Sequence, residues 1–285
     1  MKETIIRQMR DSDVESAMHL KEAELWNQTE SDWRYFLKRS PDLCLVASLK
    51  NEVIGTVTAI NYHNRKAWIG MMLVASDHRR KGVGLKLLRS ILDRLAGCDL
   101  IGLDATPVGA MVSQGLGFKE EHELVRMSTE GIETSSLGLY VDRVEPIEAS
   151  DILEICRLDE EAFGANRCDL IQHLFEDTPD LCWRAKREGK VVGFNLGRRG
   201  TRFTHIGPIV ANSLEDAKAL VAQTSRIIGE SPVALDVPDE KREWQSWLTQ
   251  LGFSKQRSLT RMYFLRNRNG SKTNKQYSIC GPEFG

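Results

Sequence analysis

The feature that most constrains this chain is an internal duplication. Leu116-Gly117-Phe118 is followed, eight residues after the Phe, by Arg126-Met127. The same words return as Leu251-Gly252-Phe253 and Arg261-Met262, 135 residues further on. Leu103-Asp104 with Pro107 is echoed by Leu235-Asp236 with Pro238, and Val74-Ala75 by Val210-Ala211 at 136. NEVIG (51–55) matches GKVVG (189–193) and Leu43-Cys44 matches Leu181-Cys182, both at 138. Words kept in one order at nearly one offset mean two copies of one fold. A length of 285 residues suits this, since roughly 130 residues is an ordinary domain size. The expected division is a first domain over 1–130, a linker over 131–139, a second domain over 140–267, and a polar linker with an apolar end over 268–285. That end, YSICGPEFG, either stays disordered or packs back on the second copy.

Each copy reads in the same order. A short strand (Thr4–Arg10; Leu139–Val144) leads into a helix (Asp13–Trp26; Ser150–Phe163) and a second helical stretch. Two alternating runs then fold about the turns KNE and EGK as hairpins. An apolar strand (Ala67–Val74; Phe203–Val210), an amphipathic helix, a strand (Leu100–Ala105; Val233–Val237), a short helix and a last strand from Gly-Phe complete the copy. The strand–helix–strand unit calls for a right-handed crossover between parallel strands in an otherwise antiparallel sheet. The fold class is therefore α/β (an α+β mixed sheet): two tandem domains, each a mostly antiparallel sheet with one parallel strand pair and flanking helices.

Composition excludes several functions. A formal net charge of −1 and a pI near 6.6 argue against a nucleic-acid binder, and the basic run His78-Arg79-Arg80-Lys81 lacks interleaved aromatics. The first residues hold no signal-peptide core, and no apolar run approaches the ~20 residues of a membrane span. Six scattered cysteines without C-x-x-C, and no His at ligand spacing, point to reduced thiols, no metal and a cytoplasmic location.

The joint after the apolar strand differs between the copies. In the first it is Arg79-Arg80-Lys81-Gly82-Val83-Gly84, opening a helix whose residues 85, 88, 91, 92 and 95 form the apolar stripe. Glycines allow close backbone approach, and the first helical N–H groups have no internal partner. Those donors, the positive helix end and three cations suit a pyrophosphate. In the second copy Asn212 stands as N-cap with Glu215 completing a capping box, and Asp216 follows. Side-chain oxygens would fill the donors and repel an anion.

R-x-x-G-x-G at 79–84, after a strand ending MMLVAS, resembles the acetyl-coenzyme A signature of the GCN5-related N-acetyltransferases (GNAT). The hairpin, signature strand, crossover helix, LDATP strand and LGF turn stand in that family's order. More narrowly, WIGMMLV, LDATP, AFGANR, IGPIVA, LDVP, RMYF and GPEFG are similar to a bacterial subfamily that pairs such a domain with a diverged second one. The resemblance implies that the signature strand splays from its parallel neighbour. Main-chain groups of Met72, Leu73 and Val74 would then hold pantetheine and polarise the thioester carbonyl, and Arg79, Arg80, Lys81, Gly82, Val83 and Gly84 would hold the pyrophosphate. It implies an acetyl-CoA-dependent N-acyltransferase with one active coenzyme site, in the first domain. Its partners would be acetyl-CoA, as co-substrate, and an amine-bearing acceptor, a small molecule ahead of a protein, with small amine, amino sugar, amino acid and protein lysine all open. An acyl-CoA-binding module without turnover is the alternative.

Catalytic side chains are less distinct. The family often places a Tyr four residues before the Gly of the Gly-Phe turn to serve the leaving thiolate; here Ser113 stands there, and Leu248 in the second copy. No acid lies on the signature strand between Trp68 and Val74. Asp104, near the end of a parallel strand, is a candidate for the site or for bracing the ATP turn. His63 and His78 read as loop surface. Arg126 and Arg261, repeated in both copies, read as structural ion pairs.

Overall fold

A computed structural model describes residues 3–132, 144–265 and 273–285. Most of the expected linker, from 133 on, the expected strand Leu139–Val144 apart from Val144, and the polar run 266–272 lie outside the described residues. The elements follow the expected order. In the first copy they are β1 (Ile5–Gln8), α1 (Val14–Ala23), α2 (Glu30–Arg39), β2 (Cys44–Leu49), β3 (Glu52–Tyr62), β4 (Lys66–Val74), α3 (Val83–Arg94), β5 (Leu100–Ala105), α4 (Pro107–Gln114) and β6 (Lys119–Thr129). In the second they are β7 (Val144–Pro146), α5 (Ile152–Phe163), α6 (Cys168–Asp177), β8 (Trp183–Arg187), β9 (Lys190–Arg199), β10 (Thr204–Ala211), α7 (Leu214–Ile228), β11 (Val233–Pro238), α8 (Arg242–Gln250) and β12 (Ser254–Leu265). A short strand, β13 (Gln276–Ser278), follows. The hairpin turns carry two consecutive left-handed residues each, Lys50 and Asn51 (φ 52° and 70°) and Glu188 and Gly189 (52° and 76°). Such pairs match the twist of the flanking strands.

The chain forms two compact units, and they do not follow chain order. Unit 1 holds residues 3–121, 261–265 and Phe284; unit 2 holds 122–132, 144–260, 273–283 and Gly285. In unit 1 the sheet runs β1-β2-β3-β4-β5, and β12 lies next to β5. Pairing is antiparallel except for β4 with β5. The apolar face of α3 packs on one side of this sheet, where Val83, Leu87, Leu88 and Ile91 meet Leu45, Val57, Ile69, Leu103 and Met262. The sequence stripe is rotated slightly: Leu85 and Leu92 are half-buried at its margins, while Lys86, Arg89, Asp93 and Arg94 are exposed as expected. On the opposite sheet face, Phe36 of α2 stacks on Phe284 at 5.1 Å, and the Tyr62 hydroxyl donates to the Phe284 carbonyl at 3.1 Å.

Unit 2 repeats the plan as β7-β8-β9-β10-β11-β6, with β13 on β10. Here β10–β11 is the parallel pair, and β6 runs antiparallel to β11 from Leu124 opposite Pro238 to Thr129 opposite Val233. The last strand of each copy thus ends in the sheet of the other copy. The apolar end of the chain is ordered: residues 273–283 and Gly285 belong to unit 2, and Phe284 to unit 1. Helix α7 packs on β8, β9 and β10 and buries Ala217, Leu220, Val221 and Ala222 in the core there. Burying one such leucine stabilises by about 1.5–3 kcal/mol, so the helix has a packing role whatever its first turn binds. Among the described residues no helix is long and apolar enough to cross a membrane.

One expectation about the cysteines is corrected. Cys156 in α5 and Cys168 at the start of α6 form a disulfide, with Cα atoms 5.2 Å apart. The two helices pack together across residues 164–167, and Arg167 clamps that turn by donating to both carboxylate oxygens of Asp159 (2.7 and 2.9 Å). Twelve residues of separation marks no known pairing, so sequence spacing gave no warning. Cys44, Cys98, Cys182 and Cys280 are free and buried. Burial pushes the thiols of Cys44, Cys182 and Cys280 up to about 12. At pH 8 a chromogenic thiol reagent should therefore label the native protein negligibly within minutes. Four thiols should react after denaturation, and six only after added reductant.

Candidate functional site

The first joint begins with a defect in β4. Pairing with β3 runs Gly55–Val74 and Thr56–Leu73, then slips before Thr58–Gly70, so β4 contributes one extra residue there. Met71 takes up the slip with φ 49°, and the buried Thr56 hydroxyl donates to its carbonyl at 2.7 Å. A bulge of this kind bends a strand and re-aims its edge. The parallel pairing of β4 with β5 spans only Ala67–Ile101, Trp68–Gly102 and Ile69–Leu103. Beyond Ile69 the two strands part, and Met72, Leu73 and Val74 present an edge toward the gap. Leu73 is buried, whereas Met72 and Val74 are half-buried. The splay expected between these strands is present.

The turn into α3 is open and basic. Arg80 (φ 58°) and Gly82 (φ 79°) are both left-handed, and Arg79, Arg80, Lys81 and Gly82 are exposed. A Cβ added at Gly82 would have no atom within 4 Å, so the glycine is there for its conformation. Gly84 serves close approach, since a Cβ there would stand 3.2 Å from the Met72 methyl. Among the described residues no side chain caps α3, and its first turn has no acid. Its leading N–H groups and positive dipole end therefore face the solvent side of the joint. Arg79 donates from Nε to the Val74 carbonyl at 3.0 Å, and its Nη2 pairs with Glu24 at the end of α1. Glu24 and Thr56 were not singled out in the sequence. Thr56 and Thr58, polar residues fully buried in an apolar strand, were the available signal.

The two catalytic candidates are engaged elsewhere. The Asp104 carboxylate, with no exposed surface, receives two hydrogen bonds from Arg261, Nε to Oδ1 and Nη2 to Oδ2, each 2.8 Å. That guanidinium also lies 4.5 Å from the Trp68 ring centre. Burial alone would lower the Arg261 pKa, but the charge and hydrogen bonds of Asp104 outweigh it and raise it. In the ATP turn the Thr106 hydroxyl accepts the Gly109 N–H at 3.3 Å. Ser113, 3% exposed, donates to the Gly109 carbonyl at 3.0 Å. His78 is half-buried in the turn before Arg79. His63 sits at the β3–β4 turn beside Arg39, Asp42 and Asn61, around a cleft of about 390 Å³ at the far end of β4 from the joint. Among the described residues no cluster of His, Cys, Asp and Glu could hold a metal.

The matching joint in unit 2 is closed by side chains. The cap of α7 is Ser213, one residue later than expected, because the Asn212 N–H continues the strand pairing to the Val192 carbonyl (2.9 Å). The Ser213 hydroxyl accepts the Asp216 N–H at 3.2 Å and donates to Oδ2 of Asp216 at 2.5 Å. Arg187 donates to Asp216 Oδ1 at 2.7 Å, and Glu215 flanks it. Donors left open in α3 are satisfied in α7, and two carboxylates occupy the place of the three cations.

The sheet of unit 2 has its own ion pair, Arg126 with Asp236, at 2.8 Å (Nε to Oδ1) and 2.6 Å (Nη2 to Oδ2). His205 Nε2 lies 3.2 Å from Asp236 Oδ2. Burial would raise the Asp236 carboxyl, yet the charge of Arg126 and the hydrogen bonds from His205 and Arg126 hold it far below the usual carboxylate range.

Comparison with known proteins matches each half of the chain separately. Residues 6–115 match the acetyltransferase (GNAT) family and residues 155–278 match an acetyltransferase (GNAT) domain. A protein of Pseudoalteromonas sp. (strain SANK 73390) named holothin acyltransferase is 26% identical over 266 residues, spanning 92% of this chain and 88% of its own. The solved structure of a candidate acetyltransferase from Pyrococcus horikoshii superposes with a TM-score of 0.84 at 24% identity, covering 99% of this chain and 96% of that one. A tandem GNAT protein from the clavulanic acid biosynthesis pathway gives a TM-score of 0.63 at 12% identity, covering 94% and 100%. The two structures show the same fold.

The ion pairs make a direct test. Asp104→Asn and Asp236→Asn should each lower unfolding free energy in urea by about 3–5 kcal/mol at pH 7, because each strands a buried guanidinium. Joint replacement, Asp104→Leu with Arg261→Met, should recover most of the loss. A folded carboxyl held below its unfolded value of about 3.9 gives stability that is complete above that pH and fades as pH falls toward the folded value. The deficit of Asp236→Asn should thus be full at pH 6 and smaller at pH 2.5. An Asp104→Asn protein of unchanged stability but lost turnover would instead mark Asp104 as a base.

Proposed function

Because the chain belongs to the GNAT acetyltransferases through both of its halves, we propose that it moves an acetyl group from coenzyme A to the amine of a small acceptor. In this reading a single coenzyme site lies in unit 1. The observation behind it is the contrast between the joints: α3 opens uncapped, glycine-bearing and basic, while α7 opens capped and acidic. A diphosphate carries negative charge that an exposed helix start stabilises and that Glu215 and Asp216 would repel.

The residues of unit 1 fit the coenzyme. Main-chain groups of Met72, Leu73 and Val74 border the splay and would hold the pantetheine arm in an added-strand manner. The amides of Arg79 to Gly84 would hold the diphosphate, with Arg79, Arg80 and Lys81 supplying charge. When bound, the coenzyme supplies the activated acetyl thioester. Arg79 would have to give up the Val74 carbonyl, and its exposed position beside Glu24 allows that movement. Asp104 and Ser113 act in this reading as braces: one fixes the end of β5, the other the turn of α4. The proton leaving the acceptor amine then passes to water in the splay, and a proton from water reaches the departing thiolate.

Calorimetry with acetyl-CoA tests the joint. Gly82→Asp should weaken binding at least roughly hundredfold, and Gly82→Asn, which tolerates the left-handed turn and brings no charge, much less. Equal losses for both would reduce the effect to backbone strain. Glu215→Gln should leave the stoichiometry at one per chain; a second equivalent would place a working site in unit 2. Release of coenzyme thiol in the presence of an amine panel tests transfer, and tight binding with no turnover on any amine would overturn it.

A further inference from the structure

We propose that the gap between β10 and β11 in unit 2 is a peptide-binding slot, and that Gln276–Glu283 is its resident, exchangeable ligand. The gap arises as in unit 1. Parallel pairing of β10 with β11 is confined to Thr204–Val233 and His205–Ala234, and β10 slips against β9 between Ile206 and Ile209. Beyond that point the strands part and bare main-chain edges face each other. Buried edges must find partners. In unit 1 that edge is the one assigned above to the pantetheine arm, and the likeness between the two slots rests on that assignment; the peptide site itself does not.

In unit 2 the chain fills the gap itself and bonds to both lips. On one side β13 runs antiparallel to β10, with Ser278 opposite Ile209 and Gln276 opposite Val210. On the other, the Ile279 N–H donates to the Asp236 carbonyl in β11 at 2.9 Å. The Ser278 hydroxyl donates to the Ile206 carbonyl at 2.9 Å and approaches that of Asp236 at 3.3 Å. Gly207 makes the entry possible: a Cβ there would stand 2.0 Å from the Ile279 carbonyl oxygen. The slot and the segment fit with no room for a side chain between them.

Side chains set the register. The Tyr277 carbonyl accepts the Trp244 indole N–H at 3.0 Å, and the Tyr277 ring meets Trp244 edge-on at 5.5 Å beneath the Lys241 ammonium, 4.1 Å from its centre. Ile279 fills a small apolar cluster with Leu124 and Leu259, and Glu283 pairs with Arg198. Every residue from Gln276 to Gly285 except Pro282 is buried. Main-chain bonds along the strand with alternate side-chain pockets are the arrangement of peptide recognition by strand addition. An extended peptide and a pantetheine arm share one chemistry, amide donors and acceptors on a thin chain. The ligand class here is therefore a peptide reading aromatic-Ser-Ile followed by an acid three to five residues on.

The test keeps the whole chain. A site-specific protease sequence inserted within 266–272 lets the folded protein be cut there. The cut segment should remain bound, one per chain, through gel filtration. A labelled peptide QYSICGPEFG in excess should exchange into the slot, and its Ile279→Pro version, lacking the N–H given to Asp236, should bind at least tenfold more weakly. Acetyl-CoA at concentrations that saturate unit 1 should not displace the label. Loss of the segment on cutting, unfolding on cutting, failure of the labelled peptide to exchange, or binding of the proline or scrambled peptide as tight as that of QYSICGPEFG would reduce β13 to an ordinary strand and overturn the proposal. Displacement by acetyl-CoA, one for one, would overturn it differently, by making the slot a second coenzyme site. Failure of acetyl-CoA to bind anywhere would count against the function proposed for unit 1 and leave the peptide result standing.

Discussion

Each sheet holds one aspartate that water does not reach, and each aspartate is neutralised by an arginine that chain order assigns to the other copy. Arg261 grips Asp104 in unit 1, and Arg126 grips Asp236 in unit 2, both through two parallel hydrogen bonds. An unpaired buried carboxylate costs several kcal/mol. The last strand of each copy can therefore settle only where its guanidinium meets that oxygen pair. In unit 1 the demand spreads to the neighbours. The guanidinium lies over Trp68, whose ring meets Tyr263 edge-on at 5.9 Å, and Gly102 is a glycine because a Cβ would stand 2.4 Å from that indole. Asp104 thus fixes the end of β5, Thr106 starts α4 just beyond it, and one lip of the splay is set before any ligand arrives.

The other lip is set by the bulge at Met71, and the two defects together explain why duplication could yield unlike sites. A splay in a sheet leaves main-chain groups that need partners, whatever the surrounding sequence. Unit 1 meets that need loosely: Arg79, an exposed side chain, covers the Val74 carbonyl and can leave it. Unit 2 meets it with β13, bonded to both strands and buried. The helix starts diverge the same way, α3 with no side-chain cap and α7 with the Ser213 hydroxyl on the Asp216 N–H. One frame, inherited twice, leaves its main-chain edge to an exposed side chain in one copy and covers it with a strand of the same chain in the other.

Much of this was legible from the sequence because it is local. Strand period, turn residues and repeated words placed nearly every element within a few residues. The basic Gly82–Gly84 joint and the acidic joint at 215–216 lie where expected. What could not be read is what pairs across long separations. Leu-Gly-Phe with Arg-Met eight residues later stands in both copies, so pattern alone is equally satisfied whether each strand joins its own sheet or the other. Asp104 looked available because its partner lies 157 residues away. The Cys156–Cys168 bridge depends on how α5 and α6 pack, which no spacing encodes. The cap moved from Asn212 to Ser213 because sheet pairing held the Asn212 amide, a tertiary demand overriding a local preference.

The contrast between the slots also bears on why a second copy persists with a capped, acidic helix start. A buried strand that satisfies both lips stabilises its sheet continuously, whereas an open slot leaves edge groups to solvent and to Arg79 until a ligand enters. Within one chain, a copy that fills its own slot can be the more stable half while the open copy stays receptive. An arginine from each copy is built into the sheet of the other, so neither sheet is complete without both sequences. The diverged copy therefore cannot be deleted without stranding Asp104, and its retention follows from a buried charge even if it never touches a thioester.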